Sequence, residues 1–224
     1  MTRKLQSARR AAASGTTKSV VVFLHGYGAD GADLLGLADP LAPHMPDTVF
    51  VAPNAAERCV GNPMGYQWFA IPWLDGSSED TAMQGLARAG EDLNGFLDDL
   101  LEEEGVTASQ IVLFGFSQGT MMSLQIAPRR SEPVAAVVGF SGRLMNPEAL
   151  RAEAKVKPPV LLIHGDQDDV VPPQSMNEAG EALTVAGFDV YAHIMKGTAH
   201  GIAPDGLSIA LAFMREKLAP AKVC

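Results

Sequence analysis

IVLFGFSQG, residues 111–119, passes from an unbroken apolar run to a serine flanked by glycines and then to a stretch patterned as a helix. Unbroken apolarity over this length predicts a strand buried on both faces, as in a parallel sheet. Ser117 then falls on a sharp strand-to-helix turn. Side chains at 115 or 119 would collide with neighbouring backbone there, and the helix start beyond Ser117 offers amide hydrogens and a positive dipole end.

Similar apolar runs recur on both sides: 19–25 (SVVVFLH), 48–52 (TVFVA), 134–140 (VAAVVGF) and 159–164 (PVLLIH), with an alternating one at 188–195 (FDVYAHIM). Helical patterns lie between them. The clearest covers 83–104, where Leu86, Leu93, Phe96, Leu97, Leu100 and Leu101 share a face; others are predicted over 31–42, 118–128, 174–186 and 205–218. The closing run Glu102, Glu103 and Glu104 opposes the helix dipole and reads as a solvated face. Alternation of this kind predicts an α/β fold, a mostly parallel sheet with helices on both faces. Ligands then bind in the loops beyond the carboxyl ends of the strands. The longest such loop is 53–80.

With 224 residues, 47% hydrophobic and 19% charged, the chain suits one α/β domain. Its net charge is −9, yet Arg3, Lys4, Arg9, Arg10 and Lys18 place five positive charges on residues 1–18. Subtracting those five from −9 leaves −14 on residues 19–224. Residues 1–18 are expected to be a flexible basic arm before a single domain over 19–224. An acidic body disfavours nucleic acid and anionic lipid surfaces. No apolar stretch is long enough to span a membrane or to form a secretory core, so a cytoplasmic protein without stable membrane insertion is expected. Cys59 and Cys224 are the only thiols, and no His or Cys pair has ligand spacing, so neither a disulfide framework, a metal nor another cofactor is expected.

A serine hydroxyl is nearly inert at neutral pH and needs an imidazole to take its proton as it attacks. His200, in KGTAHGI, follows the last strand, where the order serine, acid, histidine places the base. His44 lies in a Pro-flanked loop, His193 inside a strand, and His25 and His164 at strand ends tied to the next glycine. The acid should come from HGDQDDVVP at 164–172, which supplies Asp166, Asp168 and Asp169; charge alone does not separate them. Negative charge on an attacked carbonyl oxygen calls for two amides. Gln118 directly after the serine is one, and Tyr27 in the HGYGAD turn is the other. Ser141, in GFSG, lacks the second-glycine spacing and reads as an ordinary turn.

Together LHGYGAD, APNAAERCVGNPMGYQWF, LFGFSQGT, HGDQDDVVP and GTAHGI resemble the carboxylesterase/phospholipase family of α/β-hydrolases, which includes the acyl-protein thioesterases. The likeness covers most of residues 19–218. It implies an α/β-hydrolase fold, with Asp168, four residues before Pro172, as the acid beside Ser117 and His200, and with oxyanion amides from Tyr27 and Gln118. It implies a serine esterase acting on a small-molecule ester, with acyl-thioester or lysophospholipid hydrolysis as the alternative and an inactive binding protein as a remoter one. Some relatives of this kind pair, so a homodimer is a further expectation. Met64, Tyr66, Trp68, Phe69, Leu74 and Val171 are candidates to line the substrate pocket. A chain this short leaves no room for a large cap domain, which favours short or medium acyl groups. Tyr27 stands where thioesterase members resemble Leu, Thr120 replaces a usual small residue on what reads as a helix surface, and Ala70 stands where an Asp follows their Trp-Phe.

Overall fold

Each apolar run becomes a strand of one sheet in the computed structural model, which describes residues 2–219. The chain begins with β1 (Ser7–Arg10) and β2 (Ser19–Leu24), followed by α1 (Gly31–Leu35), α2 (Ala38–Leu41) and β3 (Thr48–Pro53). A short hairpin, β4 (Glu57–Arg58) with β5 (Tyr66–Gln67), leads to α3 (Pro72–Asp75) and the long α4 (Glu79–Glu104). Then come β6 (Ile111–Phe116), α5 (Gln118–Ile126), β7 (Ala136–Phe140), α6 (Pro147–Glu153) and β8 (Val160–Gly165). The last elements are α7 (Gln174–Val185), β9 (Val190–Met195) and α8 (Pro204–Lys217).

The main sheet runs β1-β3-β2-β6-β7-β8-β9, parallel throughout except for β1. Strands β2, β3 and β8 are buried at every residue, which is why their sequences show no polar alternation. Val20, Val22 and Leu24 point into one core with Leu86, Leu93 and Leu97 of α4 and Leu183 of α7. Val21 and Phe23 point into the other, with Leu34 of α1 and Phe213 and Met214 of α8. Two apolar layers therefore sandwich the sheet, and the carboxyl ends of β2, β6 and β8 open onto one edge of it. No described helix is long and apolar enough to cross a membrane.

The basic arm is not free. Ser7–Arg10 pair antiparallel with β3, from Ser7 opposite Pro53 to Arg10 opposite Phe50, and Leu5 and Ala12 are buried. Without this strand β3 would be a bare edge. Charge holds the arm in place: Arg3 bonds the buried Asp92 carboxylate at 2.7 Å and Glu57 at 3.1 Å, Arg9 meets Glu104 at 2.7 Å, and Arg10 and Lys18 pair with Asp39 and Asp47. Glu104, read as part of a solvated face, keeps only 7% of its side chain exposed under Arg9. The sequence SARR carries no apolar period, so the strand had no signal of its own.

Two helices also differ from expectation. The segment 31–42 is broken into α1 and α2, because a continuous helix needs the amide of residue 40 to reach carbonyl 36 and Pro40 has none. Helix α4 starts earlier than predicted: the Ser78 side chain caps it by accepting from the Thr81 amide, and Gly105 at φ 65° ends it. Cys224 lies outside the described residues; Cys59 is a buried free thiol.

Candidate active site

Ser117 occupies the corner between β6 and α5 at φ 54°, ψ −114°, a conformation that side-chain-bearing residues seldom adopt. The surroundings enforce it. The Ser117 amide donates to the Phe140 carbonyl at 2.8 Å, and the Thr120 hydroxyl reaches the carbonyls of both Gly115 and Phe140. Thr120 is thus buried in the corner rather than on a helix surface. A Cβ on Gly119 would stand 1.8 Å from the Leu24 carbonyl oxygen, and one on Gly115 would stand 2.4 Å from the Thr120 amide nitrogen. Both glycines let α5 press against backbone.

Across the strand ends, His200 Nδ1 and Asp168 Oδ2 are 2.8 Å apart. The other oxygen, Asp168 Oδ1, accepts the amides of Val170 at 3.0 Å and Val171 at 2.9 Å, and none of the Asp168 side chain reaches solvent. Burial pushes the carboxyl's pKa up, but the His200 bond and the two amides outweigh it and hold the carboxyl below its usual range. The three candidate acids separate by contact. Asp166 binds the Gly197 amide at 2.7 Å and so steadies the loop carrying His200, whereas Asp169 is exposed. That loop also sits so close to β8 that a Cβ on Gly165 would meet the Thr198 carbonyl oxygen at 2.2 Å. The Phe116 ring packs against the His200 ring, with centroids 4.9 Å apart. His193 instead pairs with Asp205 on the outer surface at 2.9 Å, and Ser141 is fully buried.

The turn after β2 lies directly against the corner: a Cβ on Gly26 would be 3.2 Å from the Phe116 ring and 3.4 Å from Ser117 Cβ. His25 shapes this turn. Its Nδ1 faces the Gly26 carbonyl at 2.7 Å while Nε2 accepts the Ala55 amide at 3.0 Å, so the ring is neutral with its proton on Nδ1; burial lowers its pKa accordingly. Gly28 donates to the Tyr66 carbonyl and Ala29 to that of Gly26. The Tyr27 amide takes part in none of these bonds, and Gln118, opening α5, carries one of the unpaired amides of a helix start. The Gln118 side chain has a role that the backbone argument missed. Its Oε1 accepts the Trp68 amide and its Nε2 donates to the Phe69 carbonyl, both at 2.8 Å, stapling the 53–80 segment to the corner.

A cavity of about 190 Å³ joins these parts, lined by Ser117 and His200 together with Leu34, Ile71, Trp73, Leu74, Met121 and Val171. Leu74 and Val171 stand where the sequence suggested. Trp68 and Phe69 do not, because the Gln118 staple and the packing of Trp68 on the His25 ring draw both into the core, where each is 1% exposed. Tyr66 lies beneath the Arg58 guanidinium, and Met64 is 83% exposed on a separate shallow depression. Trp73 and Ile71 replace them as cavity walls. Pro72 was the available signal for a helix start there, and Trp73 and Leu74, which follow it in α3, are both exposed.

The fold and this arrangement define the class: an α/β-hydrolase. The model of the phospholipase/carboxylesterase family matches residues 7–218, and the chain belongs to that family. Esterase YpfH of Escherichia coli (strain K12) is 30% identical over 201 residues, spanning 88% of this chain and 82% of that protein. Acyl-protein thioesterase 1 of Saccharomyces cerevisiae is 30% identical over 231 residues, spanning 94% and 97%. The crystal structure of esterase PE8 superposes with a TM-score of 0.92 at 46% identity, covering 96% of this chain and all of that one. The protein is a carboxylic-ester hydrolase.

Proposed function

We propose that it cleaves carboxylic esters of short to medium acyl chain through an acyl-enzyme on Ser117. One observation carries this reading: the hydroxyl corner at Ser117 and the ring of His200, itself held by Asp168, face one small cavity. His200 Nε2 takes the proton from Ser117 Oγ as that oxygen bonds to the ester carbonyl carbon. The displaced electron pair resides on the carbonyl oxygen, where the amides of Tyr27 and Gln118 receive it. Collapse breaks the bond to the alcohol, which leaves with the proton from His200. Water, deprotonated by the same ring, then releases the acid and restores the serine. Asp168 fixes the ring so that Nδ1 carries the other proton, and stabilises the imidazolium between the two transfers.

The cavity, at about 190 Å³, is below the range of roughly 300–1,000 Å³ typical of sites for drug-sized ligands, which supports short acyl groups. The thioester or lysophospholipid alternative has its own support. Trp73, Leu74 and Val170 border the cavity and are each at least half exposed, an apolar rim on which a longer chain could lie. Hydrolysis of chromogenic acetate, butyrate, octanoate and palmitate esters by wild type and Ser117→Ala tests both points. We expect turnover to be greatest at acetate or butyrate and to fall about a millionfold in the variant. A maximum at palmitate would favour the alternative, and an active Ser117→Ala protein would end the serine mechanism.

A further inference from the structure

The cavity beside Ser117 carries one fixed charge. Among the described residues that line it, Asp33 of α1 is ionised at neutral pH, whereas burial pushes the Tyr27 phenol up to about 12 and His200 must be neutral to act as a base. Asp33 is exposed and, among the described residues, has no ion pair, unlike Asp39, Asp47, Asp98 and Asp205, each of which meets a basic side chain. Its field reaches the turn after β2: burial lowers the His25 pKa, and the Asp33 charge pulls part of that back. Trp73 gives the same cavity a second surface suited to cations. Its ring is 55% exposed and takes the Arg143 guanidinium 5.7 Å from its centroid, although Arg143 is not part of the lining.

We infer that Asp33 is a specificity-determining residue, giving the cavity a negative wall that favours esters of cationic, ammonium-bearing alcohols over neutral or anionic ones. The inference rests on the ester-hydrolysis reading and deepens it. Asp33 also lines the open depression shared with Gly28, Asp30, Asn62 and Met64, so it stands between the cavity and an open surface. With a short acyl group inside, the alcohol is the part that projects past it. Asp30 helps to place it: its Oδ1 accepts the Asp33 amide at 3.0 Å and so fixes the start of α1. Two opposite unit charges several ångströms apart at a wet surface change a rate or an affinity by about three- to tenfold, and salt erodes the effect.

The test measures kcat/KM for butyrylcholine and for 3,3-dimethylbutyl butyrate, in which a tert-butyl group replaces trimethylammonium at nearly the same shape. Comparing proteins rather than esters cancels the difference in intrinsic reactivity. In Asp33→Asn, which keeps the size and removes the charge, the cationic ester should lose about three- to tenfold more than the neutral one. Salt at roughly 1 M, where screening acts within about 3 Å, should narrow the same ratio in wild type and move it far less in the variant. Equal losses for the two esters, or a ratio that salt moves alike in both proteins, would overturn the assignment. Hydrolysis of neither ester by wild type would instead count against the ester-hydrolysis reading, and binding then decides the role of Asp33. Choline titrated into Ser117→Ala, followed by the Trp73 indole NMR signal, should bind about three- to tenfold more tightly than in Ser117→Ala/Asp33→Asn. Equal affinity in the two proteins would overturn the inference.

Discussion

The corner at Ser117 and the segment 53–80 meet at the same cavity, yet they are built by opposite means. At the corner, backbone presses on backbone, and glycine is demanded by distances as short as 1.8 Å. In the segment, side chains decide: one buried glutamine, one stacked indole and a short helix determine which residues face the cavity and which face the core. Positions 115 and 119 of the corner therefore admit no side chain, while the outer part of the segment, where Trp73 and Leu74 are exposed, can change at less cost to the fold.

The largest effect should follow from Gly119→Ala. The added methyl meets the Leu24 carbonyl with no flexible group to yield, so the variant should be insoluble or destabilised by more than about 4 kcal/mol in urea titration. A stable, active Gly119→Ala protein would break the contrast at once. Asp168→Asn should keep the fold but lower kcat by about 10⁴-fold, because the amide favours the wrong tautomer of His200. Gln118→Leu joins the two regions. It leaves the backbone amide in place but strands the Trp68 amide and the Phe69 carbonyl in the core, costing about 1–3 kcal/mol for each orphaned group. Thermal unfolding would show that loss, and a Tm equal to wild type would mean the staple is idle.

Acid should act on the corner side more gently. Asp168 has a lowered pKa in the folded chain, so across that window the unfolded state binds more protons. Its contribution to stability is fully present above the unfolded value of about 3.9 and is lost as pH falls through the folded one. Equilibrium unfolding of wild type against Asp168→Asn from pH 7 downward should converge at the acid end, and parallel curves would contradict this. The smallest change in stability belongs to Trp73→Ala. With the indole 55% exposed, Tm should hardly move, while KM for the longer esters should rise several-fold as the cavity wall is lost.

The same contrast explains what the sequence made legible. Buried parallel strands, the glycines at 115 and 119, and the spacing of Ser117, HGDQDD and His200 are written as local patterns. They could be read from residues 19–25, 111–119 and 159–200 alone. What separates Asp168 from Asp166 and Asp169 is which one the Val170 and Val171 amides turn toward, and charge does not encode that. Trp68 and Trp73 look alike in sequence; a bond from Gln118, fifty residues away, sends one inward and leaves the other at the rim. The N-terminal strand was hidden for a related reason, since SARR is held by long-range ion pairs and a neighbour's free edge rather than by its own pattern.

The central claim is that one hydroxyl, Ser117 Oγ, is the activated nucleophile, and covalent labelling tests it most directly. Intact-mass and peptide mass spectrometry after treatment with a fluorophosphonate should find a single adduct on Ser117, absent in Ser117→Ala and formed far more slowly in Asp168→Asn. An adduct on Ser141 or any other residue, or equal labelling of Ser117→Ala, would contradict the account.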